Sequence, residues 1–126
     1  MNIQIDELAS EIAKGLSEYS QDIVQVLNDK SAATAKTAVT KLKARSPKKT
    51  GKYARSWKVN TEKFHGEPDR HVVYNGKHYW LTHLLEFGHA KASGGRVEGK
   101  AHIAPVEEET ADDFVRVVEE ALRHGV

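Results

Sequence analysis

The sequence predicts an α+β domain in which helices cover one face of a small antiparallel sheet, and three observations predict it. Apolar residues in the first third recur at spacings of three and four, the period of an amphipathic helix. The middle breaks into short runs rich in valine and aromatic residues, separated by turn signals, which is the pattern of short strands. The C-terminal segment then returns to helical spacing. The predicted order is helix, strand, strand, short helix, strand, helix, with at least three strands in the sheet. A chain of 126 residues can bury one core but not two, so residues 1–126 are expected to form a single domain. Residues 1–45 would be its helical segment, and residues 46–126 its sheet and remaining helices.

Ile5, Leu8, Ile12, Leu16, Tyr19, Ile23 and either Val26 or Leu27 make one stripe, continued more weakly by Ala33, Ala38 and Leu42. Pro47 ends it, because the residue before a proline is driven out of helical geometry. One unbroken rod over 6–45 would be about 60 Å long, so a break is expected at Asn28-Asp29, with Asp29 capping a second helix. The Ala/Thr-rich run from Ser31 to Thr40 suits close packing against a neighbouring element. A projecting arm ordered by another subunit is the alternative. After the turn-rich stretch 46–51, Tyr53, Trp57 and Val59 alternate with Ala54, Ser56 and Lys58, predicting a half-buried strand. A second strand is expected from Arg70 to Asn75, after the turn at Glu67-Pro68-Asp69. Trp80, Leu81, Leu84 and Leu85 make the apolar face of a short helix that Gly88 would end in a left-handed conformation. A flexible stretch from Ala90 to Gly95 leads to a third strand with Val97, Ala101 and Ile103 on one face. Pro105 suits the first turn of the last helix, whose stripe is Val106, Thr110, Phe114, Val117, Val118, Ala121 and Leu122.

Composition narrows the class. Hydrophobic residues make up 39% and charged residues 29%, ordinary for a globular chain. No apolar run approaches the ~20 residues of a membrane span, and the N-terminal residues lack the pattern of a secretory leader. Cysteine is absent, so no disulfide framework or thiolate metal site is possible, and a reducing cytoplasm suits the chain. The net charge of +1 conceals segregation. Lys41, Lys43, Arg45, Lys48, Lys49, Lys52, Arg55 and Lys58 follow one another without an acid. Seven acids stand against Arg116 and Arg123 between Pro105 and Val126. Such a chain can contact nucleic acid or pair complementary faces of neighbouring subunits.

The search for catalytic chemistry yields no constellation. His83, Glu86, His89 and His102 invite a metal site, but the H-E-x-x-H spacing is absent. No metal and no cofactor are expected. Ser56 and Ser93 have no placeable base, and no G-x-S-x-G elbow exists. Gly88, Gly94, Gly95 and Gly99 do not form a phosphate-binding loop. Tyr53 and Trp57 among the cations could stack on bases, so a basic nucleic-acid-binding module remains the alternative. No helix-turn-helix, zinc finger or RNA-binding aromatic motif accompanies them.

Two segments together resemble a known family. Ser46-Pro47-Lys48-Lys49-Thr50-Gly51-Lys52-Tyr53-Ala54-Arg55-Ser56-Trp57 is similar to a P-x-x-T-G-x-L-x-x-S stretch of many small phage neck and tail proteins. His83-Leu84-Leu85-Glu86-Phe87-Gly88-His89, then Gly94-Gly95-Arg96-Val97 and Ala101-His102-Ile103-Ala104-Pro105, resembles a second block. That block belongs to the gene-product-ten-like tail components of long-tailed bacteriophages. The resemblance covers roughly 46–110, with Tyr53, Ala101 and Val106 departing from the usual leucine, proline and alanine.

It implies a non-enzymatic virion structural protein of the neck or tail, for tail completion or head–tail joining, assembled in the host cytoplasm. Its partners would be itself, in a ring of six as in related proteins, and neighbouring connector or tail-tube proteins. DNA would be only a passing contact, and no membrane is involved. Pro47, Thr50, Gly51, Ser56, Glu86, Gly88, His102 and Pro105 would be its structural motif positions. Leu84, Leu85 and Phe87 would anchor the short helix, and Glu86 would bond backbone donors or a histidine. Subunit contacts are expected at Lys48, Lys49, Lys52 and Arg55, at Gly88, His89, Gly94, Gly95 and Arg96, and at Glu107 and Glu108.

Overall fold

A computed structural model describes Ile3, Gln4, Ala9, Ile12 and residues 21–64 and 66–124. The chain is α+β. Strand β1 (Ile3–Gln4) is followed by the long helix α1 (Gln21–Arg45), a single helical turn α2 (Lys52–Arg55), and strands β2 (Trp57–Glu62) and β3 (Arg70–Asn75). A 3-10 turn (Tyr79–Leu81) runs into the short helix α3 (Thr82–Phe87). Strands β4 (Gly88–Ala90) and β5 (Arg96–Glu98) precede helix α4 (Ile103–Arg123).

Helix α1 runs through Asn28 and Asp29 without the expected break. Both side chains are bonded where they stand. Gln25 donates to Asp29 one turn on (2.9 Å), and Asn28 Oδ1 accepts from the backbone N–H of Asp69 (2.8 Å). The side chain that looked like a helix stop instead ties the helix to the start of β3. Leu27, Ser31, Ala35, Ala38 and Leu42 form the buried row, and Ala33, expected in it, is exposed. Threonines 34, 37 and 40 return their hydroxyls to carbonyls one turn back, so they are satisfied without leaving the helix. The alanines let α4 approach closely. Val106, Thr110, Phe114 and Val118 of α4 are buried, and the side chains of Phe114 and Leu42 join one core cluster with Ala35 and Ala38. The Ala/Thr run therefore packs within the subunit rather than projecting as an arm. Ile5, Leu8, Leu16 and Tyr19 lie outside the described residues.

Strands β2 and β3 pair antiparallel, with Trp57 opposite Asn75 and Val59 opposite Val73; β1 lies along the other side of β3. His71, Val73 and Asn75 are the buried residues of β3, on the side where α1 packs. Two elements differ from expectation. Tyr53 is on the turn α2, and β2 begins only at Trp57. A spacing of four puts two residues on the same side of either a strand or a helix, so the burial of both was legible but the element was not. The third strand ends at Glu98, and β5 pairs with β4 as a separate hairpin. Ala101 is exposed outside any strand, and Ile103 begins α4. The stretch expected as flexible, Ala90 to Gly95, is mostly the turn of this two-stranded ribbon, and every residue from His89 to Ala101 is exposed.

Candidate functional site

The two sequence motifs meet in a buried hydrogen-bond chain. The carboxylate of Glu86 reaches the start of α4, where Oε1 accepts from the N–H groups of His102 and Ile103 (both 2.8 Å) and Oε2 from Ala104 (3.0 Å). The first four N–H groups of a helix have no partner within it. In α4 the fourth of these positions is Pro105, which has no N–H, so Glu86 satisfies all the donors that exist there. Burial pushes the Glu86 carboxyl up, but the three backbone donors and nearby His102 outweigh it and hold the group below the usual carboxylate range.

His102 completes the link. Its ring is fully buried, with Nδ1 2.7 Å from the Lys100 carbonyl and 3.0 Å from Glu86 Oε1. A carbonyl only accepts, so Nδ1 carries a proton. In the neutral ring Nε2 then accepts from the Tyr53 hydroxyl at 2.8 Å. Burial, and then the Glu86 charge, push the Tyr53 phenol well above its ordinary range. Tyr53, Trp57 and His102 also meet edge to face, with centroids 5.6 to 6.4 Å apart.

The first motif is fastened in the same way. Trp57 Nε1 donates to Ser46 Oγ (2.8 Å), Ser56 Oγ to the Lys52 carbonyl (2.7 Å), and Asn75 Nδ2 to the Tyr53 carbonyl (2.9 Å). Thr50 Oγ1 lies 3.4 Å from the Lys52 N–H. Gly51 has φ of 80°, a left-handed value that glycine takes without strain.

Backbone contact explains the second motif's glycines. A Cβ on Gly88 would lie 2.3 Å from the Val97 carbonyl oxygen, and one on Gly99 would lie 2.4 Å from the Phe87 carbonyl carbon. The two segments cross backbone to backbone, and that crossing carries Glu86 under the start of α4. Gly88 ends α3 with φ 81° and ψ 179°, so its φ is positive but its ψ is not that of a left-handed helix. Sequence reasoning assigned no structural role to Gly99 or to the side chains of Asn75 and Ser46. Their common signal, a small or polar residue in or beside a motif, is too ordinary to find them.

Chemistry-bearing residues scatter otherwise. His83 packs on Phe87 (4.9 Å), His89 is exposed on β4, and His102 is buried against Tyr53. These histidines do not converge.

The surface carries the remaining candidates. Arg45 forms a two-pronged pair with Glu109, and Lys41 lies 3.7 Å from Asp113, so part of the basic run is neutralised by α4 of its own chain. Lys48, Lys49, Lys52 and Arg55 are exposed. Lys52 and Arg55 line a cleft of ≈ 470 Å³ with Ser56, Lys58, Lys77 and His78. Gly94 and Gly95 form the ribbon turn with positive φ, and Arg96 donates to the Phe87 carbonyl (2.6 Å). Glu107 and Glu108 are exposed on α4. Tyr79 (67% exposed), Trp80 (59%), Phe87 (50%) and Leu84 face solvent. Only Leu81 and Leu85 of this region pack on the core, so Leu84 and Phe87 do not anchor α3 as expected.

The profile of the family described as "Bacteriophage HK97-gp10, putative tail-component" matches residues 10–88, more than half of the chain. The chain belongs to this family. The matched span takes in helix α1, which lies outside the 46–110 stretch of the resemblance, and stops at Gly88, so the rest of the ribbon and α4 lie beyond it. No curated protein and no solved structure matches the chain. Membership makes this a phage tail component whose partners are other phage structural proteins. Among the described residues, no helix is long and apolar enough to cross a membrane. In this tail component the first motif and Glu86 fall within the matched span, whereas His102 and the capped helix complete the buried chain from outside it.

Proposed function

We propose that this tail component is a non-enzymatic neck or tail-completion subunit that joins head to tail by closing into a ring of identical copies. One observation carries the reading. Trp80, Leu84 and Phe87, spaced four and three, present a row of large apolar side chains to solvent beside a ribbon with no core beneath it. Patches of this kind mark contact sites, and a two-stranded ribbon is marginal in water without a surface to lie on. A ribbon on one subunit and an apolar row on the next make a head-to-tail contact, the type that closes rings. Gly88, His89, Gly94, Gly95 and Arg96 would shape that ribbon contact. The exposed lysines 48 and 49 would face acids of an adjoining subunit.

The test is complementation. A phage lacking the gene should make filled heads and unattached tails. Supplying Trp80→Ser/Phe87→Ser in trans should fail to rescue plaques, although circular dichroism shows a folded subunit. Normal virions built from that folded variant would defeat the proposal.

A further inference from the structure

Tertiary structure sorts the basic run into groups. Lys41 and Arg45 are paired to α4, whereas Lys52 and Arg55 from α2 and Lys58 from β2 turn into the cleft. Lys77 and His78 join them from the turn after β3, a segment with no place in the basic run. The Gly76 N–H donates to the Ser56 carbonyl (2.9 Å) and fastens the two walls together. Among the described residues none of the four lysine and arginine side chains has a carboxylate in ion-pair range. Two glycines make room for the cations. A Cβ on Gly76 would stand 3.3 Å from Lys58 Cδ, and one on Gly51 would stand 2.6 Å from Arg55 Nη1. Four like charges facing one cleft repel each other, so the subunit alone gains nothing from the arrangement.

The same chain carries a complementary surface. On α4, Glu109 and Asp113 face α1 and are paired. Glu108, Asp112, Val115 and Glu119 follow at spacings of four, three and four, all exposed. They form an outward ridge about 16 Å long. None of its three acids has a cation in ion-pair range among the described residues.

We infer that the cleft of Lys52, Arg55, Lys58 and Lys77 receives the acidic α4 ridge of a second copy of this chain. The inference rests on the self-association proposed above and names the charged half of that contact. Cleft and ridge are different surfaces of one subunit, so the contact is head-to-tail and can propagate around a ring. Carboxylates lying along a helix would supply several acceptors to the cations that line the cleft, and such pairing steers encounter as well as register.

Cysteine trapping tests this directly, because the chain has no cysteine of its own. His78→Cys at the cleft and Val115→Cys in the ridge leave every charge of the contact in place. Mixed and oxidised at low salt, the two variants should form a crossed disulfide. It should be lost when Lys58→Glu/Lys77→Glu is added to the cleft partner, and weakened by high salt. A crossed yield no higher than that of His78→Cys with Lys36→Cys, on exposed α1 surface, overturns the inference. So does salt-sensitive DNA binding that Lys58→Glu/Lys77→Glu abolishes while no crossed disulfide forms, which assigns the cleft to a phosphate backbone. The two ideas fail separately. Without a crossed disulfide the ring can still stand on the failure of the Trp80/Phe87 variant to rescue plaques, and virions built normally from that variant defeat the ring whatever the cysteines do.

Discussion

Replacing Glu86 by glutamine removes a charge from the buried cap while leaving its shape. The two bonds from His102 and Ile103 to Oε1 survive as neutral hydrogen bonds, which are about half as strong as charged ones. The Ala104 N–H, now bonded to Oε2, would face an amide NH₂ and lose its acceptor, at a cost of about 1–3 kcal/mol. Relief from burying a charge offsets part of this. The net loss should be about 2–3 kcal/mol, a large part of the ~5–15 kcal/mol that holds a domain together. At about 4 °C per kcal/mol for a chain of this size, the Tm should fall by about 8–12 °C.

Urea unfolding followed by Trp57, 1% exposed in the fold, measures the change, with exposed Glu107→Gln as a control expected within ~0.5 kcal/mol of the wild type. The pH dependence has a fixed sign. Glu86 is held below its unfolded value, so its contribution is complete above about pH 4.3 and is lost as the pH falls through the lower folded value. The gap between wild type and Glu86→Gln should therefore narrow in acid. A variant as stable as the wild type at pH 7, or a gap that widens in acid, would refute the cap.

Two further outcomes follow from the same buried chain. Tyr53→Phe should cost about 1–3 kcal/mol, because it leaves His102 Nε2 buried without its partner; a midpoint unchanged in urea would mean that the ring nitrogen is satisfied otherwise. Gly99→Ala should destabilise by more than the ~1 kcal/mol of an average substitution, since its Cβ would stand 2.4 to 2.6 Å from the backbone of Glu86, Phe87 and Gly88. Thermal melting decides it, and a wild-type Tm would show that the crossing can open at no cost.

The periodic elements were legible wherever one face alone meets the core. Arg70–Asn75 emerged with the predicted bounds. Helix α4 buries Val106, Thr110, Phe114 and Val118 as its stripe requires, because a large-residue stripe is unambiguous at the helical period. The Ala/Thr stretch of α1 was less so. Its small residues hardly differ in hydropathy between the buried and exposed sides, and Ala33 and Ala35 exchange places for that reason. Tyr53 and Trp57 were legible as buried but not as helix and strand. Asn28-Asp29 looked like a break because Asp29 could cap a second helix, and only the position of Asp69 shows that Asn28 bonds outward from an unbroken one.

By itself the sequence determined an α+β chain with segregated charge and two motifs shared with phage tail components. Those are properties of local period and residue identity. Only the tertiary structure decided what the motifs do, because Glu86, Tyr53 and His102 are far apart in sequence and become one hydrogen-bond chain through a glycine crossing. It also decided which cations are spent within the subunit and which remain open, since a charge is neutralised by what lies near it in space and not by what precedes it in the chain.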